Sequence, residues 1–144
     1  MVDSNIQKAK DILFKGNYTC VIIKSGMEYK SMERGVKPLL DCLETRGDFE
    51  GAYVADKVVG KAAAFLYVLM KVKEIHATVL SKPAYDVLCS NDIIVTYNEM
   101  VPAIKNRDNT GFCPMESAVL AINEPNQAHA KIVETREKLL FVNR

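Results

Sequence analysis

Residues 51–70 read GAYVADKVVGKAAAFLYVLM, and their order decides the fold class. Gly51 to Ala55 has strand character and runs into the polar pair Asp56-Lys57. After Gly60, the stretch Lys61 to Met70 is almost wholly apolar. A helix that is apolar all round belongs inside a protein, so this one is expected to be deeply packed. Ile75 to Leu80 is the next strand. Two strands joined by a helix of this length form a parallel pair with a right-handed crossover.

Upstream of this unit, Cys20 to Ile23 is a continuous apolar run with β-branched residues, as in a strand covered on both faces. Ser25-Gly26 marks a turn, and Met27 to Met32 alternates as a second, antiparallel strand does. A first helix opens with capping-box spacing at Ser4 and Gln7, carries Ile6, Ala9 and Leu13 on one stripe, and stops at Gly16. A second carries Val36, Leu39, Leu40 and Leu43 on its core face, with Pro38 in its first turn, and ends at Gly47.

Downstream, Ser81 caps a fourth helix with Pro83 at its start, and Ile93 to Tyr97 forms a fifth strand. Asn98 to Cys113 is polar and rich in residues that disfavour regular structure. Segments this long in a small domain often carry function. Pro114 to Ile122 reads as a short helix and Pro125 to Leu140 as a polar final one. The expected architecture is one three-layer α/β/α domain over residues 1–144. Its five-stranded sheet is mixed, with an antiparallel hairpin at the N-terminal side.

The net charge of +1 argues against nucleic acid or an acidic membrane as a partner. The longest apolar run, Ala62 to Met70, is too short to span a bilayer. The opening residues MVDSNIQKAKDILFKGN lack the apolar centre of a signal peptide. Cys20, Cys42, Cys89 and Cys113 are scattered without paired spacing. They read as free thiols in a reducing compartment, and cytoplasm is the expected location.

The runs ERGVKPLL (33–40), VADKVVGKAAA (54–64) and FCPMESAVL (112–120) add to the element order. Together they resemble a family of uncharacterised bacterial and archaeal proteins, a domain of unknown function with a cytidine-deaminase-like fold. The resemblance spans about Cys20 to Ala121. It implies that fold and implies no activity. A zinc deaminase presents His or Cys followed by Glu at the start of its second helix, and Pro-Cys-x-x-Cys at the start of its third. The matching places hold Arg34-Gly35-Val36 and Asp56 to Lys61, with no cysteine or histidine at either. Such chemistry needs three protein ligands and a water on the metal, so no zinc and no other cofactor is expected.

In open α/β sheets ligands bind where strands end and helices begin. Three strand exits are expected there: Asp56 to Lys61, Ser81-Lys82, and the long loop ending at Cys113. Arg34-Gly35 belongs to the same rim. The expected ligand-binding set is Arg34, Gly35, Asp56, Lys57, Gly60, Lys61, Lys82 and Asn109. Helix N-termini favour anions, so the expected ligand is small and phosphorylated, carboxylated or nucleotide-like. Lys61 is the most informative of the set, since a cation at a helix N-terminus opposes the dipole. Either it holds a ligand anion, or its stem packs on the core and its ammonium reaches water.

Cys113 occupies an N-cap place with Pro114 and Glu116 following. A thiol there is acidified and becomes a candidate nucleophile, with Glu116 as a candidate base. Equally, Cys113 is a small packing residue and Glu116 a dipole partner. An unusual metal site of Asp56, Cys113 and Glu116 ranks last. His76 is expected to pack or hydrogen-bond within the sheet. The competing reading of the whole chain is a non-catalytic regulatory or protein-interaction module. A homodimer is compatible with either.

Overall fold

A computed structural model describes residues 5–33, 35–45, 47–105, 111 and 113–142. The elements run α1 (Asn5–Gly16), β1 (Cys20–Lys24), β2 (Met27–Ser31), α2 (Lys37–Glu44), β3 (Tyr53–Val59) and α3 (Lys61–Met70). They continue β4 (Glu74–Ser81), α4 (Lys82–Ser90), β5 (Ile94–Val101), α5 (Pro114–Val119) and α6 (Pro125–Val142). The sheet is mixed and five-stranded, in the order β2-β1-β3-β4-β5. β1 is antiparallel to both β2 and β3, while β3, β4 and β5 are mutually parallel.

The two faces are covered unequally. On one, α1 seats Ala9 and Leu13 against Val21, Ile23 and Ala55. On the other, Ile22, Val54, Ile75 and Ala77 meet the main core, built with residues of α2 through α6. The centre of that layer is α3. Eight of its ten residues are buried, as its all-round apolar sequence predicts. Phe65 and Leu66 at its middle contribute about 2 kcal/mol each by leaving water.

Several boundaries differ from the sequence expectation, among them the end of α5, at Val119 and not Ile122. β3 starts at Tyr53 and runs through Asp56 and Lys57 to Val59. The polar pair does not end the strand, because the Asp56 carboxyl finds a phenol beneath it and Lys57 is exposed. The exit after β3 is therefore Gly60 alone. β5 likewise continues beyond Tyr97, with Glu99, Met100 and Val101 paired to β4. α2 stops at Glu44 with Thr45 as its cap, before Gly47 is reached. The Ser4 end of the α1 capping box lies outside the described residues.

Candidate functional site at the C-terminal rim

The end of β3, Gly60 and the first turn of α3 form the centre of the rim. The first turn of any helix has free N–H groups that need an acceptor. Here the acceptor is a side chain from α5. The Glu116 carboxylate takes Lys61 N–H on Oε1 at 2.7 Å and Ala62 N–H on Oε2 at 2.9 Å. Gly60 makes room for it. A Cβ on Gly60 would stand 2.5 Å from Glu116 Cδ and 2.6 Å from each oxygen. Its backbone is extended, so the requirement is space and not a special dihedral angle.

Lys61 closes the same joint in the other direction. Its ammonium donates to the Leu120 carbonyl at 2.8 Å, at the far end of α5, and lies over the Phe65 ring. The first turn of α3 thus binds the start of α5, and α3's first side chain binds its end. A cation at the N-terminus of α3 is tolerated because it serves the C-terminus of α5, where positive charge is favoured. Burial pushes the Glu116 carboxyl above its ordinary range. The two N–H bonds and the Lys61 charge oppose that shift without cancelling it.

Beneath this joint lies a buried polar chain. Asp56 stands directly opposite Cys20 in the β1–β3 register. The Tyr67 hydroxyl, two turns into α3, donates to Asp56 Oδ2 at 2.6 Å and lies 3.3 Å from the Cys20 sulfur. Asp56 Oδ1 accepts Val58 N–H at 3.2 Å. Asp56 keeps some solvent contact as a residue, but its carboxyl is enclosed, and burial pushes it up to about 7. Tyr67 and Cys20 are held well above their ordinary values, first by burial and then by the Asp56 charge.

A family model described as a domain of unknown function, DUF1893, matches residues 8–136. The chain belongs to the DUF1893 family. It is similar to a DUF1893 family protein from Thermotoga maritima whose crystal structure is known, at 33% identity. That likeness covers 93% of this chain and 92% of the other, with a TM-score of 0.83. A diaminohydroxyphosphoribosylaminopyrimidine deaminase/5-amino-6-(5-phosphoribosylamino)uracil reductase, also from Thermotoga maritima, matches at 11% identity. That match covers 64% of this chain and 34% of the other, and its TM-score of 0.43 carries no argument. No curated protein matches.

In this DUF1893 chain the sequence-predicted residues are only partly brought together. Gly60, Lys61 and Glu116 meet, but bind one another. Asp56 lies in β3 itself, turned into the core toward Tyr67. Lys57 is exposed in β3, and its backbone N–H donates to Thr19. Lys82 is exposed and ion-paired with Asp86 at 2.7 Å, with Tyr85 beneath it. Ser81 caps α4 through Ala84 N–H. Gly35 adopts a left-handed conformation just before α2, at φ 73°. Arg34 and Asn109 lie outside the described residues.

Cys113 is the N-cap of α5 and half-buried, but no hydrogen bond joins its thiol to Glu116. Both Glu116 carboxylate oxygens are instead committed to the first turn of α3. Asp56, Cys113 and Glu116 do not converge; among the described residues no three His, Cys, Asp or Glu side chains gather closely enough for a metal. No helix among them is long and apolar enough to cross a membrane.

Tyr67 was not legible as a functional candidate. Its signal was a hydroxyl in an apolar helix, since a buried phenol needs a partner. His76 bonds within the sheet, to Thr96 Oγ1 at 2.8 Å and Asn98 Oδ1 at 2.9 Å. Burial lowers its pKa, and the Lys10 charge adds to that. Two surface hollows lie away from the rim. A groove of about 520 Å³ runs along α1 past Asp11, Lys15 and Tyr18. A hollow of about 200 Å³ lies at the opposite end of the parallel strands, by Asp48, Phe49 and Lys71.

Proposed function

We propose that this chain is a binding protein of cytidine-deaminase-like architecture without zinc chemistry. A small phosphorylated or nucleotide-like anion would compete with Glu116 for the first turn of α3. One observation carries the reading: the rim already holds an anion, the Glu116 carboxylate, on two backbone N–H groups beside a glycine that leaves space for it. Burial holds that carboxyl at a cost in charge solvation. A phosphate offers the same N–H groups more charge and more acceptor oxygens. Lys57 is exposed in β3, the strand that leads into this turn. The unpaired cysteines accord with a reducing, cytoplasmic setting.

The non-catalytic interaction module is the second reading. It is favoured by the self-sufficiency of the rim, where Lys61, Asp56 and Lys82 all have internal partners.

Thermal shift of the wild type and of Glu116→Gln, against nucleotides, nucleosides and sugar phosphates, separates the two. A ligand at ~100 times its dissociation constant adds about 2.7 kcal/mol, a readily visible rise in Tm. The expected result is a rise that needs the phosphate and is larger in Glu116→Gln, whose neutral amide holds the N–H groups less firmly. No shift in either protein leaves the interaction module.

A further inference from the structure

The sheet has two edges, and they differ in how they are protected. β2 is five residues long and carries Glu28 and Lys30, with Glu28 ion-paired to Lys8. Short, charged strands are the usual protection of an edge against pairing with another chain. β5 is eight residues long, reads IVTYNEMV, and has one charge, Glu99. Among the described strands it pairs only with β4. Ile94 and Tyr97 are 52% and 42% exposed, large values for apolar residues within a sheet.

The outward-facing hydrogen-bonding groups follow from one contact. Ile94 N–H donates to the Lys73 carbonyl, toward β4. In a parallel ladder alternate residues point to the same neighbour. Ile94, Thr96, Asn98 and Met100 therefore bond β4, while Val95, Tyr97, Glu99 and Val101 turn their N–H and C=O groups outward.

We propose that the β5 edge pairs antiparallel with the β5 edge of a second copy of this chain, joining two sheets into one. The strand is complementary to itself. Outward residues must face outward residues, which restricts the two-fold register. With Tyr97 opposite its own copy, Ile94 faces Met100 and Thr96 faces Asn98, apolar on apolar and polar on polar. The two Glu99 residues then face Val95 and stand about 13 Å apart along the strand. Centring on Asn98 instead makes the two Glu99 residues diagonal neighbours at about 7–8 Å and sets Thr96 against Met100. The Tyr97 register is preferred on charge and on matching. A net charge of +1 puts no long-range repulsion between copies. An edge contact alone sits at the small end of protein interfaces, so the dimer is expected to depend on concentration.

Sedimentation of the full chain across a concentration series, with two variants, tests this. Glu99→Pro deletes one outward N–H and leaves the β4 ladder intact. Tyr97→Cys, in a Cys89→Ser, Cys113→Ser background, places two thiols on the two-fold axis. The Cα separation of such a pair, about 5.5 Å, suits a disulfide. The expected results are a wild-type dimer, a Glu99→Pro monomer, and a cross-linked Tyr97→Cys dimer where Glu99→Cys in the same background gives none. A wild type that is monomeric throughout overturns the proposal. So does a dimer that survives Glu99→Pro, or one in which Tyr97→Cys does not cross-link. If Glu99→Pro does not fold, the cross-linking result decides alone.

Discussion

The rim at α3 and the edge at β5 are opposites in one sheet. At the joint of α3 and α5 the described polar groups bind one another. Glu116 takes the free N–H groups of α3, Lys61 the end of α5, and Asp56 the Tyr67 hydroxyl. At the edge, half of the backbone groups of an eight-residue strand point away from the sheet, beside exposed Ile94 and Tyr97. Charged and helix-end groups left unpaired in a half-buried place cost more than they do in water, so the fold satisfies them itself. A strand edge in water loses little by waiting for a partner. The lesson is that the part of this chain with the most conspicuous chemistry is also the most self-contained.

The sharpest break of that contrast is Glu116→Ala. It strands two N–H groups at the start of a buried helix, each of which had a charge-assisted bond. Urea unfolding is expected to show a loss of about 3 kcal/mol. A loss below about 0.5 kcal/mol would mean that water replaces the carboxylate and that the rim is open after all.

A smaller effect, with a definite sign, is expected at Asp56. Its carboxyl titrates near 7 in the folded chain, against an ordinary value near 3.8. The folded state therefore binds more protons between those values. The Asp56 contribution is fully present below about pH 4 and is lost as the pH rises through 7. Asp56→Asn keeps one of the two acceptor oxygens and removes the titration. Its stability relative to the wild type should rise between pH 4 and pH 8 by on the order of 1–2 kcal/mol, on top of a constant offset for the lost acceptor. His76, which titrates in the opposite sense, is common to both proteins and cancels in the difference. A difference that does not change with pH would show that water reaches this carboxyl.

The smallest effect belongs to the edge. Ile94→Thr keeps the β-branch on an exposed position of β5. In dilute solution it should shift the urea midpoint by less than about 0.5 kcal/mol equivalent. A larger loss would place Ile94 inside a contact even when the chain is dilute, and would erase the difference between the two regions.

The element order, the burial of α3 and the cap at Ser81 were legible in the sequence, because periodicity and local hydrogen bonding produce them. The run from Lys61 to Met70 has no polar face to turn outward, so it goes to the centre whatever surrounds it. The hairpin and the parallel unit around residues 51–70 followed from spacing and turn chemistry. A resemblance to a domain family of unknown function was legible too, in three short runs. Strand ends were not. β3 and β5 pass through polar residues that a one-dimensional pattern reads as stops, and what lets them continue is cross-strand pairing and a phenol from α3. Nor was the direction of the rim side chains. Gly60 and Glu116 are 56 positions apart in the chain, and nothing in either neighbourhood names the other. Only when α5 folds back over α3 does a carboxylate come within 2.9 Å of the free N–H groups. A helix start calls for an anion by local physics alone, but which anion answers depends on what the rest of the chain brings within reach.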